Sequence, residues 1–159
     1  MPAPYDGGCL CGAIRYRVGE EPLTLYACHC KDCQRHTGTS FALSMAVRRR
    51  TFEVVAGSPR AYAVPVDGGH VRHGRFCGDC ATRLWGEPQR LPDVIILRPG
   101  TLDDTTWVAP VAHIWVRSAQ PWMSFSDDAV RFDAQPPDAR TLVELWRERH
   151  RTLRRDPAR

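Results

Sequence analysis

Apolar and polar residues alternate along most of this chain with the two-residue period of half-buried β-strands. Residues 13–18 alternate apolar with basic side chains, and Leu23, Leu25 and Ala27 repeat the period up to Cys28. Phe41, Leu43, Met45 and Val47 continue it, then Phe52 and Val54. After the turn Gly57-Ser58-Pro59 the period returns at Tyr62 and Val64. Asp67-Gly68-Gly69 carries a hairpin signal ahead of a strand over 71–76, which runs into Cys77. The unbroken apolar run Val94, Ile95, Ile96, Leu97 predicts a buried strand over 93–98, ended by Pro99-Gly100. Further short strands are expected over 112–116 and 122–125.

The period changes near the C-terminus. Thr141-Leu142-Val143-Glu144 matches a helix capping box, and Leu142, Leu145, Trp146 and Leu153 form a helical stripe. Arg147, Glu148, Arg151 and Arg154 occupy the opposite face. A helix is therefore predicted over about 139–154. The chain of 159 residues is long enough for one well-filled core. No repeat or linker divides it. The expected class is mainly β, a single domain over 1–159 with one C-terminal helix.

Two predicted strands end at cysteines, which directs attention to the thiols. All seven fall in three fragments: Cys9-x-Cys11, Cys28-x-Cys30-x-x-Cys33 and Cys77-x-x-Cys80. Their odd number and the lack of an export signal argue against a disulfide framework. A Cys-x-Cys bridge would also close a strained ring. Thioredoxin-like use of Cys77-Gly78-Asp79-Cys80 expects a βαβ context that the pattern does not contain. Ligands two to four residues apart, from thiolates, are what zinc takes.

The fragments divide naturally. Cys9, Cys11, Cys77 and Cys80 supply the four ligands of a closed structural site. Cys28, Cys30 and Cys33 then hold a second zinc with three thiolates. An open fourth position is the arrangement of catalytic zinc. His36, His29 or Asp32 could instead close that site and leave it structural; spacing alone keeps both alternatives. His29, flanked by two ligands, is expected to point away from their metal.

Charge adds little. The formal net charge is +4, with Lys31 the only lysine among 22 basic residues. The arginines are spread along the chain, with local runs only at 48–50 and in the tail, and little aromatic interleaving. That distribution reads as a solvated surface and argues against nucleic acid as a partner. No apolar run approaches the ~20 residues of a membrane helix, and no signal segment is evident. Metal-holding thiols suit the reducing cytoplasm.

Gly8-Cys9-Leu10-Cys11-Gly12, Cys28-His29-Cys30-Lys31-Asp32-Cys33-Gln34-Arg35-His36-Thr37-Gly38, Phe76-Cys77-Gly78-Asp79-Cys80, His113-Ile114-Trp115 and Gln120-Pro121-Trp122 follow one another in order. In this the chain resembles the glutathione-dependent formaldehyde-activating enzyme family, which includes centromere protein V. The resemblance covers about residues 5–125; the C-terminal helix lies outside it. It implies a β-tent fold of small antiparallel sheets gripping zinc. It implies two zinc ions per chain, one structural at Cys9, Cys11, Cys77 and Cys80, and one catalytic and labile at Cys28, Cys30 and Cys33. The activity implied is that of a carbon–sulfur lyase joining a thiol such as glutathione to formaldehyde or a small aldehyde, and the reverse. Lys31, Arg35 and His36 are candidates to hold a carboxylate of the thiol, and His113 and Trp115 to line the pocket. The alternative is a non-catalytic zinc module that binds protein or nucleic acid. A related methionine sulfoxide reductase is excluded, because no cysteine after Cys80 could serve its chemistry.

Overall fold

The computed structural model describes residues 3–66 and 70–155, and within them the chain is mainly β, as the alternation predicts. The first strands are β1 (Tyr5–Gly8), β2 (Arg15–Val18) and β3 (Thr24–Cys28), followed by helix α1 (Lys31–Thr37). Then come β4 (Ala42–Arg48), β5 (Phe52–Ala56), β6 (Arg60–Val66), β7 (His70–Phe76), β8 (Arg83–Pro88) and β9 (Val94–Leu97). The chain ends with β10 (His113–Ile114), β11 (Arg131–Phe132) and helix α2 (Arg140–Arg155). It forms two compact units, Met1–Pro22 with Met45–Val108, and Leu23–Ser44 with Ala109–Arg159.

In the first unit, β1, β2 and β5 form an antiparallel sheet with Tyr5 opposite Val18 and Val18 opposite Phe52. A second antiparallel set runs β6-β7-β8-β9, and residues 45–48 of β4 pair with β9. Tyr16, Val18, Val47, Leu84, Ile95 and Leu97 are buried between these layers. The ring of Tyr16 stands 5.5 Å from Phe52 and 6.3 Å edge-on to Trp85, and Phe52 lies 4.7 Å from Trp85. Burying each such ring contributes about 2 kcal/mol or more. Gly7 permits this, since a Cβ there would stand 2.4 Å from the Tyr16 hydroxyl oxygen. That hydroxyl bonds instead to Thr101 Oγ1 at 2.7 Å. The arginine run at 48–50 is occupied locally: Arg48 and Arg50 pair with Glu20 at 3.2 and 3.0 Å, and Arg49 with Glu87 at 3.6 Å. It does not present a free basic surface.

In the second unit, β10 lies parallel to β3 on one side and to β11 on the other, with Ile114 opposite Cys28. These short parallel pairings make the sheets mixed rather than all antiparallel. Helix α2 buries Leu142 and Trp146, and Thr24 Oγ1 of β3 donates to Leu142 O at 2.8 Å. The helix starts one residue later than predicted. Its cap is Asp138, whose Oδ1 accepts from Arg140 N–H at 2.8 Å, and not the predicted Thr141 box. Residues 122–125 form no strand: after β10 the chain turns through Gln120–Met123, whose ends are joined by a 3.0 Å bond. The Asp67-Gly68-Gly69 hairpin signal and the Leu153 side chain lie outside the described residues, although β6 and β7 pair with Val66 opposite His70. No helix among the described residues is long and apolar enough to cross a membrane.

Candidate functional site

β1 ends at Gly8 and β7 at Phe76, so Cys9 and Cys77 each open a tight turn at a strand end. In the first turn, Gly12 N–H donates to Cys9 O and Cys9 N–H to Ile14 O, both at 3.0 Å. In the second, Ala81 N–H donates to Cys77 O at 3.0 Å and Cys77 N–H to Thr82 O at 2.9 Å. Ala81 sits at φ 58°, a left-handed conformation that costs a non-glycine residue about 1 kcal/mol or more. The two turns bring the sulfurs of Cys9, Cys11, Cys77 and Cys80 within 4.8 Å of one another.

The separations fit a metal ion. Cys9 Sγ lies 3.5 Å from Cys11 Sγ, which lies 3.7 Å from Cys77 Sγ. These are far beyond a disulfide bond of about 2.05 Å. They match the edge of a tetrahedron with ligands about 2.3 Å from its centre, which is about 3.8 Å. The set could therefore hold zinc. Ile14 N–H also points at Cys9 Sγ at 3.2 Å. Thr82 joins the two turns: Leu10 N–H donates to its Oγ1 at 3.1 Å, and Cys80 Sγ lies 3.1 Å away. After accepting from Leu10 the hydroxyl still has its single proton, which an ionised Cys80 sulfur would accept. Bonds from the Thr82 hydroxyl, the Thr82 N–H and the Cys11 N–H bring the Cys80 thiol down to about 5.

The second cluster is built differently, from one strand end and one helix start. β3 delivers Cys28, and Cys30 caps α1 by accepting Cys33 N–H on its sulfur at 3.3 Å. At the other end Gly38 takes φ 68° and its N–H closes on Gln34 O at 2.8 Å. Sequence reading gave this segment no helix. The three sulfurs of Cys28, Cys30 and Cys33 lie within 4.8 Å of one another. Among the described residues, no imidazole or carboxylate joins them within that distance. Neighbouring Cys30 and Cys33, followed by burial, push the Cys28 thiol far up. Three soft sulfurs placed so close together suit zinc.

His29, between two of these cysteines, is fully buried and turns away from them as predicted. Its Nε2 lies 3.0 Å from His113 Nδ1, and Phe41 and Phe125 pack on it at 5.3 and 5.4 Å. Among the described residues its Nδ1 has no hydrogen-bond partner. Burial, then the His113 charge, holds His29 below the ordinary imidazole range. Burial, then Arg131, does the same to His113. The pair is thus neutral at pH 7, one ring donating and the other accepting. Trp115 follows directly, at φ 59°.

Gln34 is the organising residue that sequence reading missed. It is buried, and its amide donates to His29 O at 2.6 Å and Ser118 O at 2.8 Å. Its oxygen accepts from Gln120 Nε2 at 2.7 Å and from Lys31 Nζ at 3.4 Å. Every hydrogen-bonding position of the amide is used. The sole sequence signal for Gln34 and Thr82 is that each stands within two residues of a cysteine.

Against known proteins, residues 4–118 match the model of the family described as "Glutathione-dependent formaldehyde-activating enzyme". A Halomonas elongata protein named "Putative glutathione-dependent formaldehyde-activating enzyme" is 28% identical over 126 residues, spanning 74% of this chain and 78% of that one. A Rhodobacter sphaeroides protein of known crystal structure aligns at 17% identity with a TM-score of 0.49, covering 80% of this chain and 98% of that one. The family match takes in all seven cysteines, and the chain belongs to the glutathione-dependent formaldehyde-activating enzyme family.

Proposed function

We propose that this protein is a zinc-dependent enzyme of the carbon–sulfur lyase type. It adds a thiol such as glutathione to formaldehyde or a small aldehyde, and reverses that addition. The observation that carries this reading is the unequal supply of ligands: four sulfurs in one cluster and three in the other. Four thiolates make a closed structural site, whereas three protein ligands leave the position that a substrate needs. Family membership and the name of the Halomonas elongata relative support the thiol and the aldehyde.

A zinc ion held by Cys28, Cys30 and Cys33 would keep an added thiol deprotonated at neutral pH. The thiolate sulfur then attacks the aldehyde carbon. As the C–S bond forms, the C=O π pair moves to oxygen, and that oxygen takes up one proton to replace the one the thiol lost. Three thiolates from Cys28, Cys30 and Cys33 would place three negative charges around a divalent ion and so would keep an incoming sulfur electron-rich. Gln34 fixes the loop by holding the His29 carbonyl between two ligands. The His29 ring, with Phe41 and Phe125, fills the space behind that loop.

The test compares Cys30→Ser with Cys77→Ala. Serine can still cap α1, so Cys30→Ser should fold and melt near the parent. Its glutathione-dependent consumption of formaldehyde should fall by about a thousandfold or more. Cys77→Ala should give unstable, metal-poor protein, because structural zinc contributes folding free energy. Equal loss of stability in both variants would mark two structural sites and end the enzymatic reading.

A further inference from the structure

We propose that Lys31 and Arg117 form an anion-binding pair beside the inner sulfurs and take a carboxylate of the thiol, a proposal that rests on reading that cluster as a thiol site. β10 places Ile114 in register with Cys28, and the next residue, Trp115, turns into the left-handed region at φ 59°. A tryptophan held there is an outlier that its surroundings must impose. The turn is fixed by Trp115 N–H to Ala134 O at 3.2 Å and Ser118 N–H to Trp115 O at 3.0 Å. It sends the chain through the 3-10 turn Val116–Ser118, whose last carbonyl takes an amide proton of Gln34 at 2.8 Å. Gln34 Oε1 in turn faces Lys31 Nζ at 3.4 Å. One buried amide therefore joins the segment that carries Arg117 to the residue that follows Cys30.

Both cations keep their binding capacity. The Arg117 guanidinium carbon lies 4.8 Å from the Trp115 ring centroid. Stacking uses the face of the fork and leaves its N–H edge for a planar anion. Among the described residues Lys31 makes one long hydrogen bond, to an oxygen that Gln120 Nε2 already approaches at 2.7 Å. Among the described residues neither cation has a carboxylate partner, whereas Arg48, Arg49, Arg50 and Arg75 are all paired with Glu20 or Glu87. Asp32 is the one acid on α1, and it is exposed. A ligand with its sulfur at the inner cluster and a carboxylate several bonds away would meet this pair. A neutral thiol would not be gripped by it.

The test uses zinc-loaded parent, Lys31→Met, Arg117→Gln and the double variant. S-methylglutathione, which cannot react, is titrated calorimetrically; glutathione and 2-mercaptoethanol are compared in formaldehyde turnover. Each substitution should weaken S-methylglutathione about tenfold, and the double variant more. The preference for glutathione over 2-mercaptoethanol in kcat/KM should narrow by a similar factor. Melting and zinc content, unchanged, exclude a folding effect. Equal S-methylglutathione affinity in parent and double variant overturns the pair, as does no binding by the parent at millimolar ligand. Absence of turnover with any thiol overturns the enzymatic reading instead, and the calorimetry then decides the pair alone.

Discussion

Thr82 does more than its place two residues past Cys80 suggests. Its oxygen holds Leu10 N–H and stands 3.1 Å from Cys80 Sγ, so one hydroxyl fastens both turns of the outer cluster. Thr82→Val keeps the shape and removes both bonds. Outer-site zinc affinity should fall about tenfold to a hundredfold, the usual effect of losing a partner that orients a ligand. Competition with a chromogenic chelator reads this directly, and unchanged affinity would deny Thr82 its role. The ligand candidates themselves were legible because their spacing is local. Thr82 and Gln34 were not, because their bonds join residues 72 and 84 positions apart; His113 stood only as a pocket candidate, and its contact with His29, 84 positions away, had no sequence signal. No periodic pattern encodes a single side chain meeting a distant backbone.

Among the elements, the alternating strands were legible and the interrupted ones were not. β2, β3, β4, β5 and β6 lie where the two-residue period places them, β7 covers the strand expected over 71–76, and β9 lies on the unbroken apolar run Val94–Leu97. β1 is half glycine, and β8 buries the adjacent residues Leu84 and Trp85, which breaks alternation. β10 lies within the short strand expected over 112–116, whereas β11 is two residues long and carries no period. α1 has seven residues and no apolar stripe; its stability comes from the Cys30 cap, Gln34 and the left-handed Gly38. Gly38 tests this. A Cβ there meets nothing within 4 Å, so any cost is conformational. Gly38→Ala should cost about 1 kcal/mol and Gly38→Asn less, since asparagine tolerates the left-handed region better. Hydrogen exchange should speed up in α1 and stay unchanged in β7 and β8. Uniform acceleration would mean that α1 is not an independently capped element.

At the scale of the whole molecule, each compact unit carries one cluster. The outer sulfurs tie residues 9 and 11 to residues 77 and 80, far apart in sequence, and so hold the first unit closed. The inner sulfurs come from six consecutive residues and close no long loop, so a metal there constrains the fold little. On the proposed reading the two ions would serve opposite purposes, with four sulfurs to complete one site and three to leave a position open in the other. Zinc K-edge X-ray absorption, before and after glutathione, tests this directly. With both sites loaded, the account predicts an average of about 3.5 sulfurs and half a light atom per zinc. Glutathione should raise the average to about four sulfurs as its thiol fills the inner position. An average of four sulfurs before glutathione, or an imidazole signature that glutathione does not displace, would show the inner site closed and contradict the account.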